Sequence, residues 1–577
     1  MRFYKAMHTD NNVLDFQNLS VEQTKEFNKL ADMNRKEFNK ILSSISSIEN
    51  TPIEFFLSSI MSREPEFSPL FERCCKLAFI KHQIVNREVN LIILKDYPLY
   101  KLLKKYISHN NLKIQILNDQ NILNIIQYYL FPVKNLIRSI SFLLLMLIAR
   151  NSSESKKLSE DEIILISTHI LKDIDLNKLQ HNYIDRNFAH LVNYVDHKEK
   201  GKIAFIPQFP GGPRPYRKLF KILRGLDQKF IIKADYLKLK DYFYAYSYPF
   251  KLLPYRVREA RFLDFDIASI MNSELWNLCF DYKTIESLLN LRISKRLRQN
   301  RISVKILIDW YENQLSSKGL IYGFKKAYPE SKVIGYQGII DSASYRINIR
   351  PTKYERDNSL TPDIIAVIGD SLIQQVKEFD KNIKVVSSPA FRYHYLWDRE
   401  RKINNDHFTI LVALPIFHEQ AENILEIINQ SLNSIKKIAN YLVLIKTHPT
   451  QKIDRFKSFR LQEKSRVNFV DGDFINHIES ADLLVSSAST TCMEAIALGV
   501  PVAIIGAKCH ILQNPIPSNV NNDYWQICYT DDELVQFIQT VILNKKNNQL
   551  IDRNAVRRNY FIMPEKENVN RLLNLDV

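Results

Sequence analysis

HFTILVALP (407–415), AENILEIINQSLNSIKKIA (421–439) and YLVLIKTHP (441–449) decide the fold. The outer two are short apolar runs rich in β-branched residues. The middle one repeats apolar residues every three or four positions. Strand, amphipathic helix, strand is the parallel β-α-β unit, because parallel neighbours need a crossover connection. Reading outward, VNFVDG (467–472), ADLLVSSAS (481–489) and VPVAII (500–505) continue the series, and PDIIAVIGD (362–370) and KVVSSP (384–389) precede it. A second series lies upstream: VNLIILKD (89–96), LKIQIL (112–117), EIILIST (162–168), KIAFIPQF (202–209), ISVKILIDW (302–310) and SKVIGYQG (331–338). Residues before 89 show helical spacing instead, as in VEQTKEFNKLADMNRKEFNKILSSI (21–45). The expected fold class is α/β, with two Rossmann-like doubly wound domains after an N-terminal helical segment. The expected ranges are 1–88 for the helical segment, 89–355 and 360–545 for the two α/β domains, and 546–577 for a helical tail.

The 577 residues carry 80 Lys+Arg against 63 Asp+Glu, a net charge of +17, and are 45% hydrophobic, which is a globular composition. Only 12 are glycine, all at or after Gly201. The GxGxxG and Walker A loops need clustered glycines to bring backbone amides onto phosphate, and neither pattern occurs. That argues against P-loop NTPases, protein kinases and glycine-loop NAD dehydrogenases. Six scattered cysteines without a CxxC pair suit a reduced, cytoplasmic chain without a zinc ribbon. The N-terminal stretch lacks the apolar core of a signal peptide.

The longest apolar run, Ser139–Ala149, is flanked by Lys134, Arg138 and Arg150. It is shorter than the roughly 20 residues a spanning helix needs. It reads either as a buried core helix or as an interfacial helix on an anionic membrane. The stretch Lys202–Arg258 holds 13 Lys+Arg and 3 Asp, a net of +10 (13 − 3), with interleaved aromatics. It carries no nucleic-acid motif and suits a membrane surface or a solvated basic face.

Open α/β sheets place ligands beyond the carboxyl ends of their strands. Lys446-Thr447-His448-Pro449 follows one strand, and proline keeps His448 extended. An imidazole and an ammonium there suit a phosphate. Ser486, Ser487, Ser489, Thr490 and Thr491 lie between a strand and a helix, where hydroxyls and free amides also suit phosphate. Thr491 and Glu494 alternatively form a capping box. Asp309 and Glu312 follow another strand and are candidate proton acceptors, or helix-start acids. Gln337 follows a strand in the turn Tyr336-Gln337-Gly338. Gly211, Gly212 and Arg214 form a loop that suits sugar or anion contact. Gly369, Ser388 and Arg392 lie in turns that either contact a nucleotide or serve only as turns.

The order of strand, His448-Pro449, strand, serine-rich turn, helix and Gly499-Val500-Pro501 resembles the C-terminal half of GT-B glycosyltransferases of bacterial surface polysaccharides. It is most similar to the sialyltransferase and Kdo-transferase-like groups, which use CMP-activated sugars. Glu494-Ala495 with Gly499 and Pro501 also looks like the EA…G.P signature, in which the Glu contacts the nucleotide ribose. The D/E-D/E-G motif of sialyltransferases is absent. The resemblance implies a nucleotide-sugar donor, CMP-linked, held by Lys446, His448, the Ser486–Thr491 turn and Glu494 without a metal or other cofactor. It implies a glycan or lipid-linked acceptor, no nucleic acid, and a peripheral position on the cytoplasmic face of the inner membrane. Other readings are a UDP- or GDP-sugar transferase, a nucleotide-sugar epimerase of the same architecture, and a non-enzymatic assembly scaffold.

Overall fold

The computed structural model describes residues 12–46, 51–86, 89–151, 162–172, 174–181, 183–210, 214–252, 254–340, 345–402, 406–449, 451, 453–456, 459, 463, 465–487 and 489–574. A small parallel sheet comes first, in the order β1 (Val13–Asp15), β2 (Leu91–Leu94), β3 (Gln115–Asn118). Helices α1 (Val21–Ser46), α2 (Leu70–Asn86) and α3 (Tyr97–His109) accompany it. The strands expected at 89–96 and 112–117 therefore belong with the N-terminal segment. Val13 sits in register with Leu91, and Leu91 with Gln115. Helix α4 (Ile122–Ala149) follows.

The expected two doubly wound sheets are present. The first comprises β4 (Ile163–His169), β5 (Ile203–Gln208), β6 (Lys229–Phe230), β9 (Val304–Trp310), β10 (Lys332–Gln337), β11 (Ile364–Val367) and β12 (Val385–Ser387). Its spatial order is β12-β11-β10-β9-β4-β5-β6. A two-stranded hairpin, β7 (Arg261–Phe262) and β8 (Phe265–Asp266), stands apart. Helices α5 (Tyr216–Gly225), α6 (Leu239–Tyr246), α7 (Ala268–Asn277), α8 (Tyr282–Gln299) and α9 (Leu315–Ala327) belong to this half. The second sheet comprises β13 (Phe408–Ala413), β14 (Tyr441–Lys446), β15 (Val467–Val470), β16 (Leu483–Ser486), β17 (Val502–Ile505) and β18 (Trp525–Cys528), ordered β15-β14-β13-β16-β17-β18. Helices α10 (His418–Ile438) and α11 (Thr491–Ala497) follow β13 and β16. Strand order reverses between β4 and β9 in one sheet and between β13 and β16 in the other. Those are the switch points beside which ligands bind.

The boundary between the sheets differs from the expected 355–360. β11 pairs with β10 (Ile334 opposite Ile364) and β12 with β11, so 362–389 completes the first sheet. Short buried strands share one apolar composition, and composition does not record which neighbour a strand hydrogen-bonds. The tail forms α12 (Arg553–Tyr560) and α13 (Lys566–Leu573) and returns to the first sheet. There Ile562 exchanges backbone bonds with Ile368 and Ala390 at 2.8 Å each.

Helix α4 is only partly buried. Pro132, Asn135, Ser139, Phe142, Met146 and Ala149 make its buried face. Ile122, Ile126, Leu130, Val133, Ile137, Ile140, Leu144 and Ile148 form an exposed stripe, each 42–73% accessible. Over 28 residues the helix is long and apolar enough to cross a membrane, unlike the shorter run expected. Each exposed side chain forgoes about 1.5–3 kcal/mol of burial.

The N-terminal segment is locked to the first sheet by a buried cation. Arg63, 2% accessible, donates to the carbonyls of Ile347 (2.9 Å) and Arg350 (2.9 Å) and pairs with Glu355 (2.6 Å). Lys318 completes the cluster, 2.7 Å from Glu355 and 3.0 Å from the Met61 carbonyl. Burial works against the Glu355 anion, but Arg63 and Lys318 outweigh it and hold its pKa at about 2. Arg63→Leu should cost about 3–5 kcal/mol, the range for breaking one side of a buried pair. Equilibrium urea unfolding measures it, and a loss below about 1 kcal/mol would show that the cluster is dispensable.

Candidate functional site

At the first switch point the chain brings titratable groups together. β4 is apolar until Ser167-Thr168-His169 at its carboxyl end. A 210 Å³ pocket opens there, lined by His169, Gln208, Glu286 and Gln314, with Glu64 and Glu66 reaching in from the N-terminal segment. Burial lowers the His169 pKa below its ordinary value and keeps the imidazole neutral, although Glu312 pulls the other way. The Glu312 carboxylate accepts from Trp310 Nε1 (2.7 Å), Gln314 Nε2 (3.1 Å) and Arg346 (2.7 Å). Burial alone would raise its pKa, but Arg346 and His169 hold it at about 2. Glu312 is thus a fixed anion and a poor proton acceptor, and His169 is the better base. Sequence reading stopped at Thr168 and missed it. The signal was one residue away, a polar residue capable of proton transfer ending a buried strand.

Behind the pocket lies a polar layer. Lys233, 4% accessible, donates to Gln208 and Asn290 at 2.7 Å each, and burial depresses its pKa. Asp309, 2% accessible, sits in register with Ser167, and its Oδ2 has no hydrogen-bond partner among the described residues. Burial pushes it up to about 7, against the hydroxyls of Ser167 and Ser317. It is a supporting group beneath the pocket floor and does not line the pocket.

The second switch point is equipped differently. A cavity of 650 Å³ lies there between α10, the serine turn, the loop Ile505–Gln513 and the small N-terminal sheet. Ser487 lines it, and its buried hydroxyl has no partner among the described residues. His448 lies two residues beyond the end of β14, on the far side of β13 from the serine turn. Lys446 and Pro449 flank it. Ser486 donates to the Ala413 carbonyl (2.9 Å) and ties β16 to β13. Thr491 donates to Ser489 (2.7 Å). The alternative capping box of Thr491 and Glu494 does not form, because Thr491 is already the first helical residue and the N-cap position is Thr490, whose side chain makes no cap bond. Glu494 accepts instead from the Tyr395 hydroxyl of the first sheet's half.

That bond marks where the two halves meet. Arg392 lies in electrostatic reach of Tyr393, Glu494, Tyr395 and Glu312, which together keep it charged. Arg186 also acts on Glu494, and the His190 and His394 rings touch at 4.9 Å. Arg392 and Arg186 thus act across the contact between the two halves, where Tyr395 meets Glu494.

Several expected site residues have structural duties. Gln337 donates to the Ile349 carbonyl (3.2 Å), and Ser388 to that of Val367 (3.2 Å). A Cβ on Gly369 would meet Tyr560 Cα at 2.5 Å, so this glycine admits the returning tail. A Cβ on Gly338 would lie 2.3 Å from the Trp310 ring that holds Glu312. Arg214 joins the Ile170 (2.8 Å) and Pro210 carbonyls and fixes the loop ends beside His169. Gly211 and Gly212 lie outside the described residues. The +10 stretch does not form one basic face. Arg214 and Lys233 are buried, and Arg224 pairs with Asp235.

No family model and no curated protein matches the chain. Among solved structures it is similar to a Staphylococcus aureus MnaA–UDP co-structure, at 10% identity and TM-score 0.43, over 72% of this chain and 98% of that one. It is also similar to Acinetobacter baumannii MurG, at 11% identity and TM-score 0.37, over 71% and 99%. A third is the wall teichoic acid polymerase TagF, at 9% identity and TM-score 0.35, over 79% and 97%.

The raised Asp309 pKa has a measurable sign. The folded state holds this proton more tightly than an unfolded Asp of pKa about 3.9, so the residue costs stability as pH rises from about 4 to 7. The stability advantage of Asp309→Asn over wild type should widen by roughly 3 kcal/mol between pH 5 and pH 8.5. Denaturant melts at both pH values test this, and a pH-independent difference would contradict it.

Proposed function

We propose that the protein is a glycosyltransferase that moves a sugar from a nucleotide donor to an acceptor hydroxyl. One observation carries the reading: a neutral, half-buried His169 in the field of the ionised Glu312, with Arg392 in electrostatic reach of both Glu312 and Glu494. The proposed base lies on the first sheet's side, and the proposed anion-binding groups lie on both sides of the junction. In the proposed step the acceptor hydroxyl attacks the anomeric carbon, and the bond from that carbon to the donor phosphate breaks. The hydroxyl proton passes to His169, and Glu312 stabilises the resulting imidazolium. Charge on the departing phosphate meets Arg392, Arg186, His448 and the hydroxyls of Ser487, Ser489 and Thr490. Glu494 is positioned for the nucleotide ribose. The donor is read as a CMP-linked acidic sugar on the His448-Pro449 and serine motifs, the acceptor as a glycan or lipid-linked glycan, and the reaction as metal-independent. The setting is bacterial surface polysaccharide synthesis at the inner face of the cytoplasmic membrane.

His169→Ala should lower kcat about 10²- to 10⁴-fold while donor binding persists. Activity should rise with pH along a limb below pH 6.5. Glu312→Gln, by removing the charge that supports imidazolium, should move that limb to lower pH. Full activity in His169→Ala would remove the base assignment.

Ligand-induced thermal shift with CMP, CDP, UDP and GDP tests the donor. CMP at 100 times its Kd should stabilise the fold by about 2.7 kcal/mol. Stabilisation by UDP and not by CMP would overturn the CMP assignment.

A further inference from the structure

We propose that α4 lies in the plane of an anionic lipid bilayer and holds the His169 pocket at the membrane surface. Both ends of α4 are fastened to one folded body, so it cannot span. At its start β3 is paired into the small sheet. At its end the Ala149 carbonyl accepts from Arg224 (3.0 Å) and the Asn151 amide donates to Asp235 (2.9 Å). Its buried face packs on α5, α7 and α8, and the exposed stripe points the opposite way for the whole length, about 40 Å at 1.5 Å per residue.

Charge and composition select the occupant. α4 contains Lys134 and Arg138 and no acidic residue. Neighbouring α5 exposes Arg217, Lys218 and Lys221. Exposed aromatics lie on the helices that pack against α4. Trp276 precedes Asn277, whose carbonyl accepts from Asn135 (3.3 Å). Phe243 lies on α6, whose Tyr246 donates to the Ser139 carbonyl (2.5 Å). A long apolar stripe beside cations and interfacial aromatics matches the acyl–headgroup boundary of an anionic leaflet.

The helix also touches the proposed acceptor site. Phe142 on its buried face packs edge-on against Tyr282 at 5.7 Å, and Tyr282 lines the 210 Å³ pocket. The pocket wall therefore stands behind α4, so a lipid-borne glycan rooted in the leaflet would reach His169 by extending past one helix width, about 10 Å. This delivery role rests on the transferase reading, whereas the docking itself does not.

Co-sedimentation with vesicles tests the docking without turnover. Wild-type full-length chain should pellet with phosphatidylglycerol-rich vesicles and at least tenfold less with pure phosphatidylcholine. The double variant Ile137→Glu/Leu144→Glu should lose at least tenfold of that binding at unchanged melting temperature. Lys218→Glu/Lys221→Glu should weaken it in a salt-sensitive way. Wild type left in the supernatant, or an Ile137→Glu/Leu144→Glu protein that pellets fully, would overturn the proposal. So would a twofold mass in light scattering that the same variant abolishes, because the stripe would then be a self-association face. Loss of nucleotide binding with vesicle binding intact would strike the transferase reading alone.

Discussion

Everything chemical in the first half of this molecule hangs from Arg63. Its guanidinium, brought in by the N-terminal segment, satisfies carbonyls of the loop 346–350 and the carboxylate of Glu355. That loop in turn supplies Arg346 to the Glu312 carboxylate and the Asn348 amide to the Glu312 carbonyl (2.8 Å). Glu312 sets the field at His169. Buried ions cost several kcal/mol each unless their hydrogen bonds are complete, so the cluster is close to all-or-none. A region that reads as an accessory in the sequence is therefore part of the frame of the pocket, and it adds Glu64 and Glu66 to the wall.

The two large sheets share a strand order and differ in what their switch points carry. The first gathers groups that burial has moved away from ordinary pKa values: a neutral histidine, a raised aspartate, a depressed lysine. The second gathers hydroxyls, amides and His448. Moving a proton needs a base poised near working pH, whereas holding a phosphate needs donors that stay protonated. On the proposed reading, side-chain hydroxyls and arginines would take the place of a glycine-cradled loop.

Much of this was legible in the sequence. Alternating apolar runs and amphipathic helices gave both sheets, and the motifs singled out at strand ends put Glu312 after β9, His448 after β14, and Ser487 and Glu494 after β16. Partnership was not legible. β11 reads like β13, and only hydrogen bonding assigns it to the first sheet. Gln337, Ser388 and Ser486 have the residue types of binding groups but are consumed by carbonyls of their own fold, a competition invisible without coordinates. Glu312 looked like a base because a carboxylate at a strand end has the right chemistry. Arg346, distant in sequence, removes its basicity. The face that α4 leaves uncovered was equally hidden, because periodicity marks an apolar side without saying whether protein meets it.

The returning tail changes how the chain must be built. The second sheet is enclosed between β12 and α12, so it is an insertion in a body that begins and ends with the first sheet. Gly369 is bare so that Tyr560 can sit against it. Ile562 fastens the segments that follow β11 and β12. On a ribosome, which extends the chain from its N-terminus, all seven strands of the first sheet emerge before the second sheet does, but the helices that return to it, α12 and α13, emerge only after β18. The half that holds His169 is thus begun before the second half and receives its returning tail after it.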